Sequence, residues 1–172
     1  MLTRLLKPRL TAVLLTAVGS LLLLTSAIAG GLKAGDALPD LGTFKLEGTL
    51  PDTFKDKVVM LDFWASWCDP CKESFPLMDQ LQKKYGPQGL VVIAVNVDEK
   101  RADMESFLKS NAATFTVVRD AGQKLVDRAG IGTMPSSFLI GRDGKVRHVH
   151  TGFKGDETKK KYEQEIEALL KK

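Results

Sequence analysis

Apolar residues form two continuous runs along the chain, at 58–64 (VVMLDFW) and 90–97 (LVVIAVNV). Runs of this length that are rich in β-branched and aromatic residues favour strands buried on both faces. Between them, 69–85 has apolar residues every three or four positions, which predicts an amphipathic helix ended by Gly86-Pro87. Strand, helix and strand in this order predict a βαβ unit with a parallel sheet.

The same alternation continues to the end of the chain. It predicts helices at 102–110, 121–129 and 156–170, and strands at 115–118, 136–140 and 146–150. An Asp143-Gly144 turn should make the last two strands antiparallel. The segment 30–57 has short apolar pieces and turn residues, which predict a loose lead-in with a short hairpin around Glu47-Gly48. Residues 30–172 are therefore predicted to form one α/β domain.

The first 29 residues have the pattern of a signal peptide. Arg4, Lys7 and Arg9 precede an uncharged apolar stretch, and Ala27-Ile28-Ala29 matches a small-x-small cleavage site. Cleavage after Ala29 predicts an exported, for example periplasmic, protein. The alternative is an uncleaved anchor in which residues 10–28 hold the protein on the membrane.

Charge and composition narrow the function classes. The chain has 25 Lys+Arg, 21 Asp+Glu and 44% hydrophobic residues, a composition typical of globular proteins rather than disordered ones. Loss of the first 29 residues removes three basic residues and no acidic ones, so 22 basic residues face 21 acidic ones. This balance gives no support for nucleic-acid binding.

The two cysteines lie together in Trp67-Cys68-Asp69-Pro70-Cys71, where the first buried strand meets its helix. A structural disulfide here would close too small a loop to restrict the unfolded chain much. A zinc site would need two further ligands, and the chain has only His148 and His150 as histidines. Two reduced core cysteines would conflict with an oxidising compartment.

A redox role has a physical basis at this junction. Unpaired backbone N–H groups and the helix dipole favour a thiolate at a helix N-terminus, so we expect a lowered pKa for Cys68. Cys71 lies one turn further into the helix and should be shielded. Cys68 is then expected to attack a partner disulfide, and Cys71 to resolve the mixed disulfide. Pro70 suits the first helical turn.

The segment from Asp62 to Cys71 (DFWASWCDPC) resembles the active site of thioredoxin-fold proteins, and the chain resembles exported TlpA/ResA-type thiol–disulfide oxidoreductases. The matching motifs lie at 33–36, 63–68, 95–98, 132–140 and 143–145. The resemblance implies a thioredoxin fold, with a central mixed β-sheet flanked by helices. An N-terminal β-hairpin extension and a helix–strand insertion at 102–118 would be added to it.

The resemblance also implies roles for individual residues. Cys68 and Cys71 would form the redox-active disulfide, and Asp62 would be the buried acid that carries the proton of Cys71. A purely structural, hydrogen-bonded Asp62 is the alternative. Met134-Pro135 matches the cis-proline loop that faces the cysteines. The expected substrate-binding residues are Trp67, Asp69, Pro70, Thr133, Met134 and Pro135.

The chain departs from the family pattern at one position of this helix. Many relatives have Glu three residues after the second cysteine, where this chain has Ser74. Glu73 is one residue earlier, which is a rotation of about 100° on a helix. We therefore expect that Glu73 does not replace that carboxylate, and that Asp62 alone serves as proton acceptor.

Asp69 bears on the direction of the reaction, because its negative charge opposes a thiolate on Cys68. A less stable thiolate favours the disulfide, which predicts a reductant of protein disulfides. A membrane electron donor of the DsbD or CcdA type would then reduce the Cys68–Cys71 disulfide again, and no cofactor is expected. The resemblance implies substrates such as apocytochrome c cysteines, as in cytochrome c maturation, or the cysteines of a copper site.

Three other functions use some of the same residue types. A copper-binding metallochaperone could use Cys68 and Cys71 with Met134 or a histidine, although alternation predicts that His148 and His150 face solvent near a sheet edge. A peroxiredoxin would need Pro and Thr or Ser where the chain has Leu61 and Ala65. A disulfide isomerase usually carries a dimerisation domain, for which the chain has no room.

Overall fold

A computed structural model describes residues 30–171. It contains five strands and four α-helices within these residues. In chain order they are β1 (Val58–Trp64), α1 (Asp69–Tyr85), β2 (Leu90–Asn96), α2 (Arg101–Ser110), β3 (Thr116–Arg119), α3 (Lys124–Ala129), β4 (Ser136–Ile140), β5 (Val146–Thr151) and α4 (Asp156–Leu170). Every element predicted from 58 onward is present, with ends that differ by at most three residues.

The strands form one mixed sheet in the order β3-β2-β1-β4-β5. β1 is parallel to β2, and β2 to β3, whereas β4 is antiparallel to both β1 and β5. β1 lies at the centre, and all seven of its residues are buried. The βαβ unit and the thioredoxin fold expected from the sequence are therefore confirmed.

An aromatic cluster joins the α2–β3 insertion to the helix that follows the cysteines. The ring centroids of Phe75 on α1 and Phe107 on α2 are 5.1 Å apart, and those of Phe75 and Phe115 are 4.9 Å apart. Trp64, the last residue of β1, packs 5.0 Å from both Phe75 and Phe107. Trp64, Phe75 and Phe115 are buried and Phe107 is partly buried, so the insertion supports α1 from its first turns.

The predicted hairpin around Glu47-Gly48 is wrong. The lead-in forms a 3-10 turn at Leu41–Phe44, and Glu47 makes an isolated antiparallel bridge to Arg119 on β3. The Arg119 guanidinium donates to both carboxylate oxygens of Glu47, at 2.9 and 3.0 Å. The bridge pairs the backbone N–H and carbonyl of Glu47 with those of Arg119, so a local hairpin is not needed to pair them.

α3 begins at Lys124 rather than at 121 as predicted. The buried carboxylate of Asp120 accepts hydrogen bonds from the backbone N–H groups of Lys124, Leu125 and Val126, at 3.2, 2.8 and 2.9 Å. It thereby caps the helix, and the residues between form the entry turn.

The predicted signal peptide, its cleavage site and the alternative anchor at 10–28 lie outside the described residues. Within 30–171, no helix is both long and apolar enough to span a bilayer.

Candidate active site

The two cysteines lie at the start of α1, in the position expected from the sequence. They form a disulfide with a Cα–Cα distance of 5.3 Å. Cys68 is the N-cap of α1, and its sulfur accepts a hydrogen bond from the backbone N–H of Cys71 at 3.3 Å. Cys71 is fully buried, whereas Cys68 retains 6% exposure. Cys68 is therefore the sulfur that an incoming partner can reach.

The loop before Cys68 is held by a buried carboxylate that sequence reasoning missed. Asp98 follows β2 and accepts the backbone N–H of Ser66 at 3.0 Å and the side-chain amide of Asn96 at 2.9 Å. Because the parallel strands β1 and β2 end at the same edge of the sheet, Asp98 lies beside the cysteine loop. The adjacent Trp67 remains 65% exposed. The loop is thus fixed while its indole is presented to solvent.

A groove of about 1080 Å³ opens at Cys68. Its lining residues are Trp67, Cys68, Pro70, Val97, Glu99, Lys100, Asp103, Gln123, Val126, Asp127, Ile131, Gly132, Thr133 and Met134. Of the residues singled out from the sequence, the groove collects Trp67, Cys68, Pro70, Thr133 and Met134. The Met134–Pro135 bond is cis, as expected, and Pro135 is buried.

The rim of this groove is acidic. Glu99, Asp103 and Asp127 are exposed in its lining, where Lys100 is the only cation. None of the three carboxylates forms an ion pair within residues 30–171. An approaching polypeptide therefore meets a negative field beside Cys68.

Asp69 is exposed on the first turn of α1, outside the groove lining. Its carboxylate pairs with the Lys72 ammonium at 2.9 Å, and this hydrogen bond lowers the pKa of Asp69. The carboxyl group thus stays ionised next to Cys68, as the sequence argument required. Lys72 balances part of that charge, an ion pair that was not predicted from the sequence.

Asp62 lies at the middle of β1 and is only 1% exposed. Its strand neighbours are Ala94 on β2 and Ser137 on β4. The Ser137 hydroxyl donates to Oδ1 at 2.5 Å, and Oδ2 has no hydrogen-bond partner within residues 30–171. Burial raises the pKa of Asp62 from 3.8 to about 7, and the hydrogen bond from Ser137 acts in the opposite direction. A carboxyl group with such a pKa can both take and release a proton near neutral pH.

Two hydroxyl groups beside Asp62 were not identified from the sequence. Ser137 Oγ lies 2.8 Å from the Tyr162 hydroxyl on α4, and both side chains are buried. The sequence indicated Ser137 only as a polar residue near the start of an otherwise apolar predicted strand (SSFLI). Without the strand register, that signal could not be connected to Asp62.

The prediction that both histidines face solvent is wrong for His150, whose side chain is 9% exposed, whereas His148 keeps 38% exposure. β5 is an edge strand, but its inner face carries Val146, His148 and His150, and Val149 is exposed instead. His150 Nε2 lies 2.6 Å from Glu165 on α4, and His148 Nδ1 lies 3.3 Å from the same carboxylate. The structure thus groups the histidines with Glu165, and neither lines the groove at Cys68.

The inward position three residues after Cys71 carries a hydroxyl group. Ser74 is buried, and its Oγ donates to the Cys71 carbonyl at 3.0 Å. Glu73 is exposed on the neighbouring face of α1, so it does not supply the missing carboxylate, as expected.

Comparisons with known proteins agree with this geometry. The Redoxin family model matches residues 33–166. Thiol-disulfide oxidoreductase ResA from Geobacillus thermodenitrificans is 35% identical over 141 residues, which cover 80% of this chain and 79% of that protein. ResA from Bacillus subtilis is 37% identical and covers 74% of each chain.

A solved structure is also similar. It is a Chlorobium tepidum protein assigned as the thiol:disulfide interchange protein DsbE, with 44% identity and a TM-score of 0.75. The match covers 81% of this chain and 99% of that one. The cysteine pair at the head of α1, the sheet order and these relatives lead to one conclusion. The chain belongs to the Redoxin family, as a thiol–disulfide oxidoreductase with a thioredoxin fold.

Proposed function

We propose that this oxidoreductase reduces disulfides in other exported proteins. The observation that carries the proposal is the unequal burial of the two sulfurs, because Cys68 opens onto the groove and Cys71 is enclosed. In the reduced enzyme, the Cys68 thiolate attacks a substrate disulfide. A Cys68–substrate disulfide forms, and the other substrate cysteine leaves as a thiolate that takes a proton from solvent.

The second step releases the substrate. The Cys71 thiol gives its proton to the Asp62 carboxylate, and the Cys71 thiolate then attacks Cys68 Sγ. The Cys68–Cys71 bond forms, the bond to the substrate breaks, and the second substrate cysteine leaves reduced. Two electrons have passed from the enzyme dithiol to the substrate disulfide.

The groove residues hold the substrate in this scheme. Met134 forms no backbone hydrogen bond within residues 30–171, so its N–H and carbonyl are available to an extended polypeptide. Trp67, Pro70 and Thr133 would form the walls on either side of the substrate cysteine. Pro135 is buried, and its carbonyl accepts the N–H of Gly152 at 2.8 Å, so it would hold Met134 in place. Asp69 would act through its charge on Cys68.

A trapping experiment tests this order of events. A Cys71→Ser enzyme can form the Cys68–substrate disulfide but cannot resolve it, so we expect mixed disulfides in the exported fraction. The matched Cys68→Ser enzyme should trap none. Equal trapping by both variants, or by neither, would contradict the assignment of Cys68 as the attacking sulfur.

The direction of transfer is supported by Asp69. A negative charge beside Cys68 disfavours its thiolate and hence the reduced enzyme. We expect a reduction potential well below the roughly −120 mV of a strong oxidant of the DsbA type. Equilibration with dithiothreitol or glutathione buffers measures it, and a value near −120 mV would refute the reductant role.

The location and partners belong to the same proposal. The basic and apolar pattern of residues 1–29 supports export to the periplasm or its equivalent. A reductant there needs a membrane donor of the DsbD or CcdA type. Apocytochrome c cysteines, or cysteines awaiting copper, are the proposed substrates. Proteins trapped by the Cys71→Ser enzyme would identify them directly.

A further inference from the structure

A row of polar side chains crosses the sheet beneath α4. Ser137 is the register partner of Asp62 across β1 and β4, and of His150 across β4 and β5. Directly opposed residues in antiparallel strands project to the same face. Tyr162 of α4 lies over this face and reaches Ser137. Asp62, Ser137 and Tyr162 are each at most 3% exposed, so water does not compete for their hydrogen bonds.

The direction of these hydrogen bonds follows from the chemistry of the groups. An ionised carboxylate only accepts, so Ser137 must give its single hydrogen to Asp62 Oδ1. The Ser137 oxygen is then left to accept, and the Tyr162 hydroxyl donates to it. Burial and the negative charge of Asp62 raise the pKa of Tyr162, so the phenol keeps its hydrogen. The chain runs from Tyr162 through Ser137 to Asp62.

This chain occupies one oxygen of the carboxylate and leaves the other open. Oδ2 of Asp62 is buried without a partner among residues 30–171. We propose that Ser137 and Tyr162 are positioning residues for the exchange reaction, which hold Asp62 through Oδ1 and leave Oδ2 to take the proton of Cys71. The inference rests on the proposed function, because it concerns the same proton transfer.

Any test must distinguish the titration of Asp62 from that of other ionisable groups near the row. On β2 the residue opposite Asp62 is Ala94, which does not ionise. On α1, Cys71 is held in the disulfide and does not titrate in the oxidised protein. The remaining groups come from β5 and α4, and they are His148, His150, Lys161 and Glu165. The His150 ring lies 4.9 Å from that of Tyr162, and burial lowers the pKa of His150. A pH profile alone could therefore reflect His150 rather than Asp62.

The experiment follows the carboxyl carbon of Asp62 by ¹³C NMR in the oxidised protein, with Asp62→Asn used for assignment. Loss of a hydrogen bond to the carboxylate should move the Asp62 midpoint upward. For Ser137→Ala we expect about one pH unit, a tenfold change in proton affinity. Tyr162→Phe should give a smaller shift in the same direction. Ser137→Thr keeps the hydroxyl and should restore the original midpoint.

Tyr85→Phe is the matched control. Tyr85 is also buried and also donates a hydrogen bond, but to Glu167 at 2.7 Å, and neither residue hydrogen-bonds to Asp62, Ser137 or Tyr162. It should leave the Asp62 midpoint unchanged. An unchanged or lowered midpoint in both Ser137→Ala and Tyr162→Phe would overturn the hydrogen-bond chain. If Ser137→Ala does not fold, Tyr162→Phe, which preserves the ring, decides the matter.

A kinetic measurement tests the role in the reaction. Resolution of a preformed mixed disulfide should need a higher pH in Tyr162→Phe, by the same shift as its Asp62 midpoint, because the carboxylate is the proton acceptor. A shifted midpoint with an unshifted kinetic profile would overturn the positioning role. Failure of the parent enzyme to resolve any mixed disulfide would instead refute the proposed function, while the titration result would stand.

Discussion

Replacing Asp62 with asparagine should change the pH dependence of stability in a way that can be calculated. Burial raises the pKa of Asp62 from 3.8 to about 7. The folded protein therefore binds a proton more tightly than the unfolded chain does. As pH rises from 3.8 through 7, the unfolded state loses its proton first, and the free energy of unfolding falls. The penalty is absent below this window and complete above it.

The size of the penalty follows from the two pKa values. At about 1.4 kcal/mol per pH unit, a rise from 3.8 to about 7 corresponds to about 4 kcal/mol. Asparagine cannot ionise, so Asp62→Asn does not incur this loss. The difference in unfolding free energy between Asp62→Asn and the parent should therefore grow by about 4 kcal/mol between pH 4 and pH 8, in favour of the variant.

Urea denaturation of both oxidised proteins at several pH values measures this difference. All other ionisable groups are common to the two proteins, so their contributions cancel to first order. Asp52→Asn, which removes an exposed carboxyl group of the lead-in, controls for the simple loss of a charge. A difference between Asp62→Asn and the parent that stays constant with pH would refute the reasoning, because it would mean that burial has not raised this pKa.

Three further predictions concern the surroundings of Cys68. Asp69→Asn should raise the reduction potential, because it removes a negative charge that opposes the Cys68 thiolate, and Lys72→Gln should lower it. Equal potentials in the parent and the two variants would show that neither charge acts on Cys68. At low salt, a peptide disulfide flanked by lysines should be reduced several-fold faster than one flanked by glutamates. The ratio of the two rates should fall when salt is added, and it should also fall in the Asp127→Lys enzyme. The groove charge has no effect on recognition if stopped-flow rates of the two peptides agree. Asp98→Ala should lower the free energy of unfolding by about 2–3 kcal/mol in urea titrations, since it leaves the partly buried N–H of Ser66 and the buried amide of Asn96 unpaired. A loss below about 0.5 kcal/mol would count against that network.

The parts of this protein that could be predicted from sequence are those determined locally. The apolar run at 58–64 and the three- and four-residue spacing after it define β1 and α1, and the cysteines lie where the two meet. Burial of Asp62 also follows locally, since a single acid within a seven-residue apolar strand has no exposed side to face. The outward position of Glu73 follows from helix geometry alone.

The parts that were missed depend on register and on which face of a strand a distant helix covers. Alternation along 146–150 separates His150 from Val149, but it does not say which of the two meets α4. The pairing of Ser137 with Asp62 joins residues 75 positions apart and depends on the β1–β4 register. Glu47 similarly finds Arg119 at a separation of 72 residues. Tertiary contacts of this kind override local turn signals.

The lead-in at 30–57 also bears on the solubility of the domain. Gly35 and Leu38 pair with the chain at the start of β5, through hydrogen bonds of 2.8 Å to Val146 and Gly144, whereas Glu47 pairs with β3 at the opposite edge. An open sheet edge offers unpaired N–H and carbonyl groups to any neighbouring chain and so invites aggregation. The lead-in pairs with one end of each edge strand without adding a strand that would itself be open, so it shortens the part of each edge at which another molecule could add.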